Sequence, residues 1–288
     1  MSDPAETVTP ALLRDWPLPD PGGSKHGRGR VLVVGGAAKT PGAAMLAGVA
    51  ALRVGAGHLQ LAVARSAAVP MAVAIPESGV IGLPEAAGGS VSGNGAGQLA
   101  SALSGVDTVL VGSGLDDADE TAALLRGLAP VVDEESTVVL DAYALGVLVD
   151  LDDVRSAFAG RWVLTPNSNE AARLLGAEPD DMADGVGEIA RRYDAVVSCS
   201  GFVADPKGRR WSVPAGHVGL ATSGSGDVLA GCVTGLLARG AELGQGACWA
   251  TYLHASAGDR LAGRVGPLGF LGRELLDELP PLLVELTA

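Results

Sequence analysis

The chain has 288 residues, of which 33 are acidic and 20 are basic, so its net charge at neutral pH is -13. This charge argues against binding to nucleic acid or to an anionic membrane surface, and any anionic ligand needs a local site. Three cysteines, Cys199, Cys232 and Cys248, are an odd number without CxxC spacing, which disfavours a disulfide framework and a zinc site. We expect core thiols in a reducing compartment.

The sequence contains no recognisable targeting or membrane-spanning segment. Its first residues, MSDPAETVTP, are acidic and lack the basic start and apolar centre of a secretory signal. Apolar stretches such as GAAMLAGVAAL are shorter than the ~20 residues that a membrane helix needs. We therefore predict a cytoplasmic protein that does not enter the membrane.

Residues 1–23, rich in Pro and Asp, predict an N-terminal arm ahead of a single domain at 24–288. Within that domain, short aliphatic runs predict strands, and Ala- and Leu-rich segments between them predict helices. The predicted strands are 30–36, 58–64, 107–114, 136–142, 161–167 and 194–200, and the predicted helices are 42–54, 118–128, 169–175 and 186–192. This alternation is typical of an α/β fold with a mostly parallel sheet and helices on both faces.

Several predicted strands end in residues suited to ligand binding. These ends are Gly35-Gly36, Gly112-Ser113-Gly114, Asp141 and Thr165-Pro166-Asn167. Because ligands of open parallel sheets bind at the carboxyl ends of the strands, we expect these residues to border one site.

The pattern changes after Ser200. The segment FVADPKGRRWSVPAG predicts a hairpin with its turn at 206–208. Apolar residues at helical spacing then predict helices over 227–239 and 246–261. In the first of these helices, Gly231 and Gly235 are four residues apart, which permits close packing against a neighbour.

The stretch SGSGDVLAG places a glycine turn directly before the first of those helices. Gly224, Ser225 and Gly226 leave backbone amides free to face an anion, and the helix dipole favours phosphate there. Asp227 follows in the first helical turn. Its carboxylate has two interpretations: a cap that satisfies free amides, or a base that takes a proton from an attacking hydroxyl beside a bound phosphate.

The wider segment GLATSGSGDVLAGCVTGLLARG resembles the C-terminal signature of the ribokinase-like superfamily. Together with SKHGRGRVLVVGG, VLVGSGL, VVLDAYAL, LTPNSNEAARLLG and YLHASAGDRLA, it resembles the ADP- or ATP-dependent NAD(P)H-hydrate dehydratases. The resemblance covers residues 24–280. It implies a three-layer ribokinase-like sandwich and a small-molecule substrate.

The resemblance also implies a repair reaction, in which ADP or ATP with Mg²⁺ phosphorylates the hydroxyl of a hydrated nicotinamide ring. Loss of phosphate then restores NADH or NADPH. Asp227 matches the family's base position, and the amides of 224–226 match the phosphate site, with Gly226 touching the nucleotide. Ala43 and Gly114 match positions that line the hydrated cofactor. Family members are often tetramers or dimers, so a homo-oligomer is expected.

Two segments depart from the family pattern. DADAL appears as DAYAL, so Tyr143 replaces a carboxylate. TPHPGE appears as TPNSNE, so Asn167 stands where the family has a substrate-contacting His. Asn167 and Glu170 spell NxxE, which resembles the magnesium and phosphate motif of other ribokinase-like kinases and makes Glu170 a candidate metal ligand. The same pair also predicts a helix cap with a capping box, and both roles can coexist.

A third departure affects the nucleotide site. Where the family reads roughly LKGAxT, with a Lys and amides that meet the nucleotide phosphates, this chain reads SCSGFVADP. Cys199, Ser200 and Gly201 occupy the matching positions in a loop about two residues shorter. Lys207, in the predicted hairpin turn, is the nearest lysine along the chain.

The sequence leaves three functions open. The first is the dehydratase reaction. The second is a ribokinase-like kinase of another small alcohol, which NxxE and Asn167 favour. The third is a nucleotide- or cofactor-binding homologue with impaired catalysis, which Tyr143 and the missing lysine favour.

Overall fold

Strands and helices alternate along the chain. The computed structural model describes residues 5–20, 22–25 and 27–288. The strands are β1 (Glu6–Thr7), β2 (Arg30–Val34), β3 (His58–Ala64), β4 (Ser78–Leu83), β5 (Thr108–Val111), β6 (Thr137–Leu140), β7 (Trp162–Leu164), β8 (Val196–Cys199), β9 (Phe202–Ala204) and β10 (Arg210–Ser212). The helices are α1 (Pro10–Asp15), α2 (Pro41–Arg53), α3 (Arg65–Ala74), α4 (Ala100–Leu103), α5 (Ala118–Leu128), α6 (Tyr143–Val147), α7 (Asp152–Phe158), α8 (Ser168–Leu175), α9 (Met182–Tyr193), α10 (Ser225–Ala238), α11 (Leu243–Arg264) and α12 (Gly272–Thr287).

The strands form one sheet in the order β1-β10-β9-β8-β7-β6-β5-β2-β3-β4. From β8 to β4 all neighbours are parallel, and β9 runs antiparallel to both β8 and β10. The ends of β5 and β6 coincide, because Val111 pairs with Leu140. The carboxyl ends of β2, β5, β6, β7 and β8 therefore meet at one edge, as expected for a doubly covered parallel sheet.

Each face of the sheet carries its own hydrophobic core. Val31 and Val33 of β2 point to one face, and Leu32 points to the other, because successive side chains alternate in a strand. The first core is closed by α1, α2, α3, α10, α11 and α12, and the second by α4 to α9. The predicted α/β class and three-layer arrangement are confirmed.

Helix α10 lies unusually close to α2. A side chain added at Gly231 would overlap the backbone of Ala47, and one added at Gly235 would meet Ala51 one turn further along. Both pairs are four residues apart, so one ridge of small residues fits against another. This contact confirms the close packing predicted for the two glycines, and it fixes where the amino end of α10 meets the sheet edge.

The predicted strands and helices are all present, with ends that differ by up to a few residues. The prediction missed α3 and α12, which contain Pro70 and the pair Pro280-Pro281 inside the helix. Proline normally interrupts a helix, so the sequence pattern argues against helices that tertiary packing nevertheless stabilises. It also missed β1, β4, α1, α4, α6 and α7.

The described part of the N-terminal segment packs onto the rest of the fold. Strand β1 adds to the sheet beside β10, and Leu13 is fully buried. The carbonyl of Trp16 accepts hydrogen bonds from Trp249 Nε1 at 3.0 Å and from Gln245 Nε2 at 3.2 Å. The arm at 1–23 stays a prediction as a unit, and residues 1–4 and 21 of it lie outside the described residues.

The cysteines and the apolar helices agree with what the composition predicts. Cys199, Cys232 and Cys248 are buried and form no disulfide, as expected for core thiols. Among the described helices, none combines the length and apolarity needed to cross a bilayer.

Candidate active site

The turn before α10 exposes backbone donors at the carboxyl edge of the sheet. Gly224 adopts φ 87°, in the left-handed region, and Leu46 packs where its side chain would be. The Ser225 amide donates to the Thr222 carbonyl at 3.2 Å. Within the described part of the chain, no such backbone acceptor is found for the amides of Gly226 and Asp227. These two amides, with the dipole of a 14-residue helix behind them, suit a phosphate group.

Ser225 itself points into the protein. It is buried, and its hydroxyl lies 2.9 Å from His254 Nε2 on α11. Burial lowers the pKa of His254 to about 4, so the imidazole is neutral at physiological pH. The Ser225 side chain, which was predicted to contact the ligand, therefore points away from the ligand site. Together with His254 it holds the turn in place.

Gly226 borders open space. A side chain added there would meet no atom within 4 Å, and the residue is exposed. The fold therefore does not need a glycine at this position for its own packing. Open space at a residue whose own amide has no backbone acceptor suits a nucleotide phosphate.

Asp227 lies beside that seat and is partly buried. Burial and, secondly, the negative charge of Asp141 raise its pKa to about 7, against a smaller lowering by the hydroxyl of Ser113. No backbone amide among the described residues donates to its carboxylate, so the capping interpretation has no support in the geometry. A carboxylate with this pKa is well matched to accept a proton near neutral pH.

Asp141 follows β6 and is almost completely buried. Ser113 Oγ donates to its Oδ2 at 3.0 Å, and Thr165 Oγ1 donates to its Oδ1 at 2.9 Å. Burial raises the pKa of Asp141, and the two hydroxyls and the Ala142 amide oppose that change. Three neighbouring strand ends thus build one polar cluster.

The start of α8 supplies a third carboxylate. Asn167 Oδ1 accepts from the Glu170 amide at 2.9 Å, and the Glu170 carboxylate accepts from the Asn167 amide at 2.9 Å. The predicted capping box is therefore confirmed. Burial, and to a smaller extent Asp141, raise the pKa of Glu170 to about 7.

Ala43 and Gly114 lie against each other across two loops. A side chain at Gly114, which has φ 77°, would meet the Thr40 carbonyl and would approach Ala43 Cβ to 3.0 Å. Thr40 Oγ1 also donates to the Gly114 carbonyl at 2.8 Å. The loops after β2 and β5 therefore form one continuous wall, at which both residues are predicted to contact the substrate.

The β8–β9 connection is a two-residue turn at the same edge. Ser200 and Gly201 have φ 50° and 80°, the pattern of a type I′ hairpin turn. Ser200 Oγ lies 3.1 Å from Ser168 Oγ, and the buried Cys199 thiol lies 3.6 Å from Ser200 Oγ. Cys199 therefore faces the fold, and Ser200 and Gly201 border the edge.

The family to which the chain belongs follows from sequence comparison. Residues 31–281 match the family model described as NAD(P)H-hydrate dehydratase. The chain belongs to this family. The match confirms the resemblance that the sequence motifs predicted.

Relatives of the NAD(P)H-hydrate dehydratase family differ in length. An "ADP-dependent (S)-NAD(P)H-hydrate dehydratase" from Xanthomonas campestris is 45% identical, over 96% of each chain. A "Bifunctional NAD(P)H-hydrate repair enzyme" from Moorella thermoacetica is 36% identical over 93% of this chain and 51% of its own length. The chain therefore spans about half of such bifunctional relatives and nearly all of the first relative.

Solved structures show the same fold. A ribokinase-like superfamily protein from Enterococcus faecalis superposes with a TM-score of 0.84 at 21% identity, covering 98% of this chain and 96% of its own. The "ADP/ATP-dependent NAD(P)H-hydrate dehydratase" from Bacillus subtilis, co-crystallised with ATP/Mg²⁺, superposes with a TM-score of 0.80 at 24% identity, covering 98% and 99%. These likenesses confirm the ribokinase-like fold.

Two departures from the dehydratase motifs lie at different places in the fold. Tyr143 begins α6 and is 40% exposed beside the site. The preceding Ala142 has φ 50° and ψ -117°, a strained conformation for a residue other than glycine. Lys207 lies in the turn after the antiparallel β9, at the opposite edge of the sheet. It does not replace the family's nucleotide lysine.

Sequence reasoning placed Ser113 and Thr165 at strand ends that border this dehydratase site but assigned neither an individual role, and it gave His254 no role. Their contacts join residues that are distant along the chain. Ser113 and Asp141 are 28 residues apart, Thr165 and Asp141 are 24 apart, and Ser225 and His254 are 29 apart. The available signal was the position of Ser113, Asp141 and Thr165 at the ends of three parallel strands.

Proposed function

We propose that the protein catalyses the nucleotide-dependent dehydration of hydrated NADH and NADPH, with ADP as the preferred phosphoryl donor. The observation that carries the proposal is Asp227, a carboxylate with a pKa of about 7 directly beside two free helix amides. The donor preference rests on the Xanthomonas relative, which is described as ADP-dependent. The relatives do not favour a kinase of another alcohol or a catalytically impaired homologue.

The proposed reaction has two steps. Asp227 takes the proton of the substrate's ring hydroxyl while the hydroxyl oxygen attacks the terminal phosphorus of ADP, and AMP leaves. The phosphate ester then breaks its carbon–oxygen bond, and loss of the adjacent proton restores the reduced nicotinamide. The amides of Gly226 and Asp227 would stabilise the transferred phosphoryl group by donating to its oxygens.

The predicted binding residues divide between the two ligands. We infer that Gly224, Gly226 and the Ser200-Gly201 turn face the nucleotide, and that Ala43, Gly114 and Asn167 face the hydrated cofactor. The support is their common position at the carboxyl edge of the sheet.

Magnesium is part of the proposal. In the described parts of the chain, no group of three His, Cys, Asp or Glu side chains is arranged to hold a metal ion. Magnesium at nucleotide sites is commonly bound by one or two carboxylates together with substrate phosphates. The partly buried carboxylate of Glu170, held at the same edge by its capping box, fits this role. The ion would supply charge neutralisation for the polyphosphate.

We also place the enzyme in the cytoplasm, where reduced cofactors and nucleotides are available, and propose that it forms a homo-oligomer. Val69 and Val73, one helical turn apart on α3, are 75% and 77% exposed and offer an apolar contact. Light scattering of the purified protein tests the proposed homo-oligomer, because a monomer would contradict it.

Absorbance of the reduced nicotinamide tests the proposed reaction. Hydrated NADH or NADPH is incubated with the protein, Mg²⁺ and either ADP, ATP, AMP or no nucleotide. We expect recovery of the absorbance with ADP, weaker recovery with ATP, and none in the last two mixtures. Absence of recovery in all four, from folded protein that binds ADP in calorimetry, would contradict the proposal.

The rate of this reaction should depend on the ionisation of Asp227. A base must be unprotonated to act, so kcat is expected to rise with pH through about 7, following the raised pKa of Asp227. Below that pH, kcat should fall about tenfold per pH unit. A profile that is flat from pH 5.5 to 8 would show that proton transfer to Asp227 does not limit the rate.

A further inference from the structure

An apolar pocket of about 380 Å³ lies between α2 and α3. Both helices begin at the carboxyl edge of the sheet, α2 after the loop that follows β2 and α3 directly after β3. Gly42 and Met45, three residues apart in α2, form one side of the pocket, and Ala67, Pro70 and Ala74 of α3 form the other. Residues at this spacing share one face of a helix, so the pocket is the space between two facing helix surfaces.

The composition of the pocket suits a flat ring with apolar faces. Among the described residues that line it, Ser66 alone has a polar side chain and none is charged. Small-molecule pockets are typically lined by apolar side chains, with a few polar groups that fix the orientation of the ligand. Met45 and Met71 contribute two thioethers, which make favourable contacts with aromatic rings.

The pocket adjoins the wall at which the nicotinamide end of the substrate is proposed to bind. Ala43 belongs to that wall, because a side chain added at Gly114 would approach Ala43 Cβ to 3.0 Å. Consecutive residues of a helix point about 100° apart, so Ala43 faces the wall while Gly42, directly before it, faces the pocket. A side chain added at Gly42 would meet no atom within 4 Å, so the space at this residue, between wall and pocket, is open.

The two nucleotides of the proposed reaction need separate parts of the sheet edge. The proposed ADP site includes the Ser200-Gly201 turn, which follows β8. In the sheet order, β5, β6 and β7 separate β8 from β2 and β3. Hydrated NADH or NADPH carries an adenosine beyond its pyrophosphate. This half of the molecule has room to extend away from ADP toward β2 and β3, where the pocket lies.

We infer that the pocket between α2 and α3 binds the adenine ring of the hydrated cofactor, whose nicotinamide end lies at the wall formed by Ala43 and Gly114. This assignment rests on the proposed function, since it places the second half of the same substrate. Adenine takes no part in the chemistry. Its binding would hold the reacting hydroxyl beside Asp227, because binding energy from remote parts of a substrate serves orientation at the reacting centre.

Ala74→Trp tests the inference. Ala74 is exposed at the end of α3, and an indole placed there is similar in size to adenine and is expected to occupy part of the pocket. We expect the KM for hydrated NADH to rise about tenfold or more, the loss that follows when such a ring is excluded from an apolar pocket. Hydrated reduced nicotinamide mononucleotide lacks the adenosine half, so its KM should stay near the wild-type value, and so should the Kd for ADP.

Ala72→Trp is the matched control. Ala72 is also exposed on α3 but does not line the pocket, so all three constants should keep their wild-type values. Met45→Ala covers the case in which the new indole of Ala74→Trp turns toward solvent. It shortens a lining side chain, and it should raise the KM for hydrated NADH about fivefold through loss of the thioether contact, without changing the KM for the mononucleotide.

Photolabelling locates the adenine ring without turnover. An 8-azidoadenine derivative of NADH should label peptides from residues 38–45 or 66–74, and an excess of NADH should suppress the label, whereas ADP should not. Labelling elsewhere, equal KM changes for the dinucleotide and the mononucleotide, or wild-type KM values in both Ala74→Trp and Met45→Ala would overturn the inference. A change of oligomeric state in Ala74→Trp without a change in KM would also overturn it, since a second copy of the chain would then cover the pocket.

The proposed function can fail separately. If the wild-type protein shows no nucleotide-dependent turnover, the dehydratase reaction is contradicted, and the photolabel still decides whether the pocket binds adenine.

Discussion

Asp227→Asn is expected to lower kcat for nucleotide-dependent dehydration by about a thousandfold, within the 10²–10⁴ range of a general base. The amide has nearly the same shape as the carboxylate but cannot accept the substrate proton. It also removes a negative charge beside the phosphate seat, so ADP binding should be retained or slightly stronger. Steady-state absorbance assays measure the first effect, and calorimetry with ADP and Mg²⁺ measures the second.

The matched control is Asp277→Asn on α12. This residue pairs with Arg53 at 3.0 Å on the surface, and its side chain is 72% exposed. Exposed ion pairs contribute little to stability, so kcat and the melting temperature should both stay near the wild-type values. If Asp227→Asn kept more than a tenth of the wild-type kcat, Asp227 would not be the base. A joint loss of activity and ADP binding would indicate instead that the variant has disturbed the site.

Local sequence signals predicted the elements that carry strong periodicity. The buried runs of β2, β3 and β5, and the helices α5 and α8, follow from aliphatic patterns and from caps such as the Asn167–Glu170 box. Helices α3 and α12 were missed because prolines within them oppose helix formation locally. There, packing against the core outweighs the local preference.

The site was predictable only in part, for a related reason. The glycine turn and Asp227 are contiguous in sequence, so their chemistry can be read from one motif. The bond between Ser113 and Asp141 joins residues 28 positions apart and depends on β5 and β6 being neighbours in the sheet. The position of Lys207 likewise depends on the direction of β9, which one short hairpin reverses.

The absence of a family-type lysine changes how this site must handle charge. Asp141, Asp227 and Glu170 all lie at the edge where a polyphosphate is proposed to bind, and the first two act on each other electrostatically. Amide donors at Gly226 and Asp227 offset only part of this negative charge. Phosphoryl transfer should therefore depend strongly on magnesium. Because the pKa values of Asp227 and Glu170 are raised to about 7, partial protonation of these carboxylates near neutral pH also reduces their repulsion of the nucleotide phosphates as the nucleotide binds.

Gly226→Val is expected to weaken ADP binding at least tenfold without destabilising the protein. An added Cβ at Gly226 has no neighbour within 4 Å, so a larger side chain has room on the protein surface and is expected to extend into the space beside the amides of Gly226 and Asp227. Valine also has a higher helix propensity than glycine, so the melting temperature should stay constant or rise slightly. Calorimetry with ADP and a thermal melt measure the two quantities on one sample.

Gly263→Val on α11 provides the matched comparison. Gly263 is likewise an exposed helical glycine with no atom within 4 Å of an added Cβ, but it lies outside the proposed site. The two substitutions therefore make the same chemical change in similar surroundings and differ in what they are expected to block. A loss of ADP affinity in Gly226→Val alone would locate the nucleotide at the amino end of α10. Equal ADP affinity in both variants would place the nucleotide elsewhere on the sheet edge, and the amides of Gly226 and Asp227 would then serve another ligand.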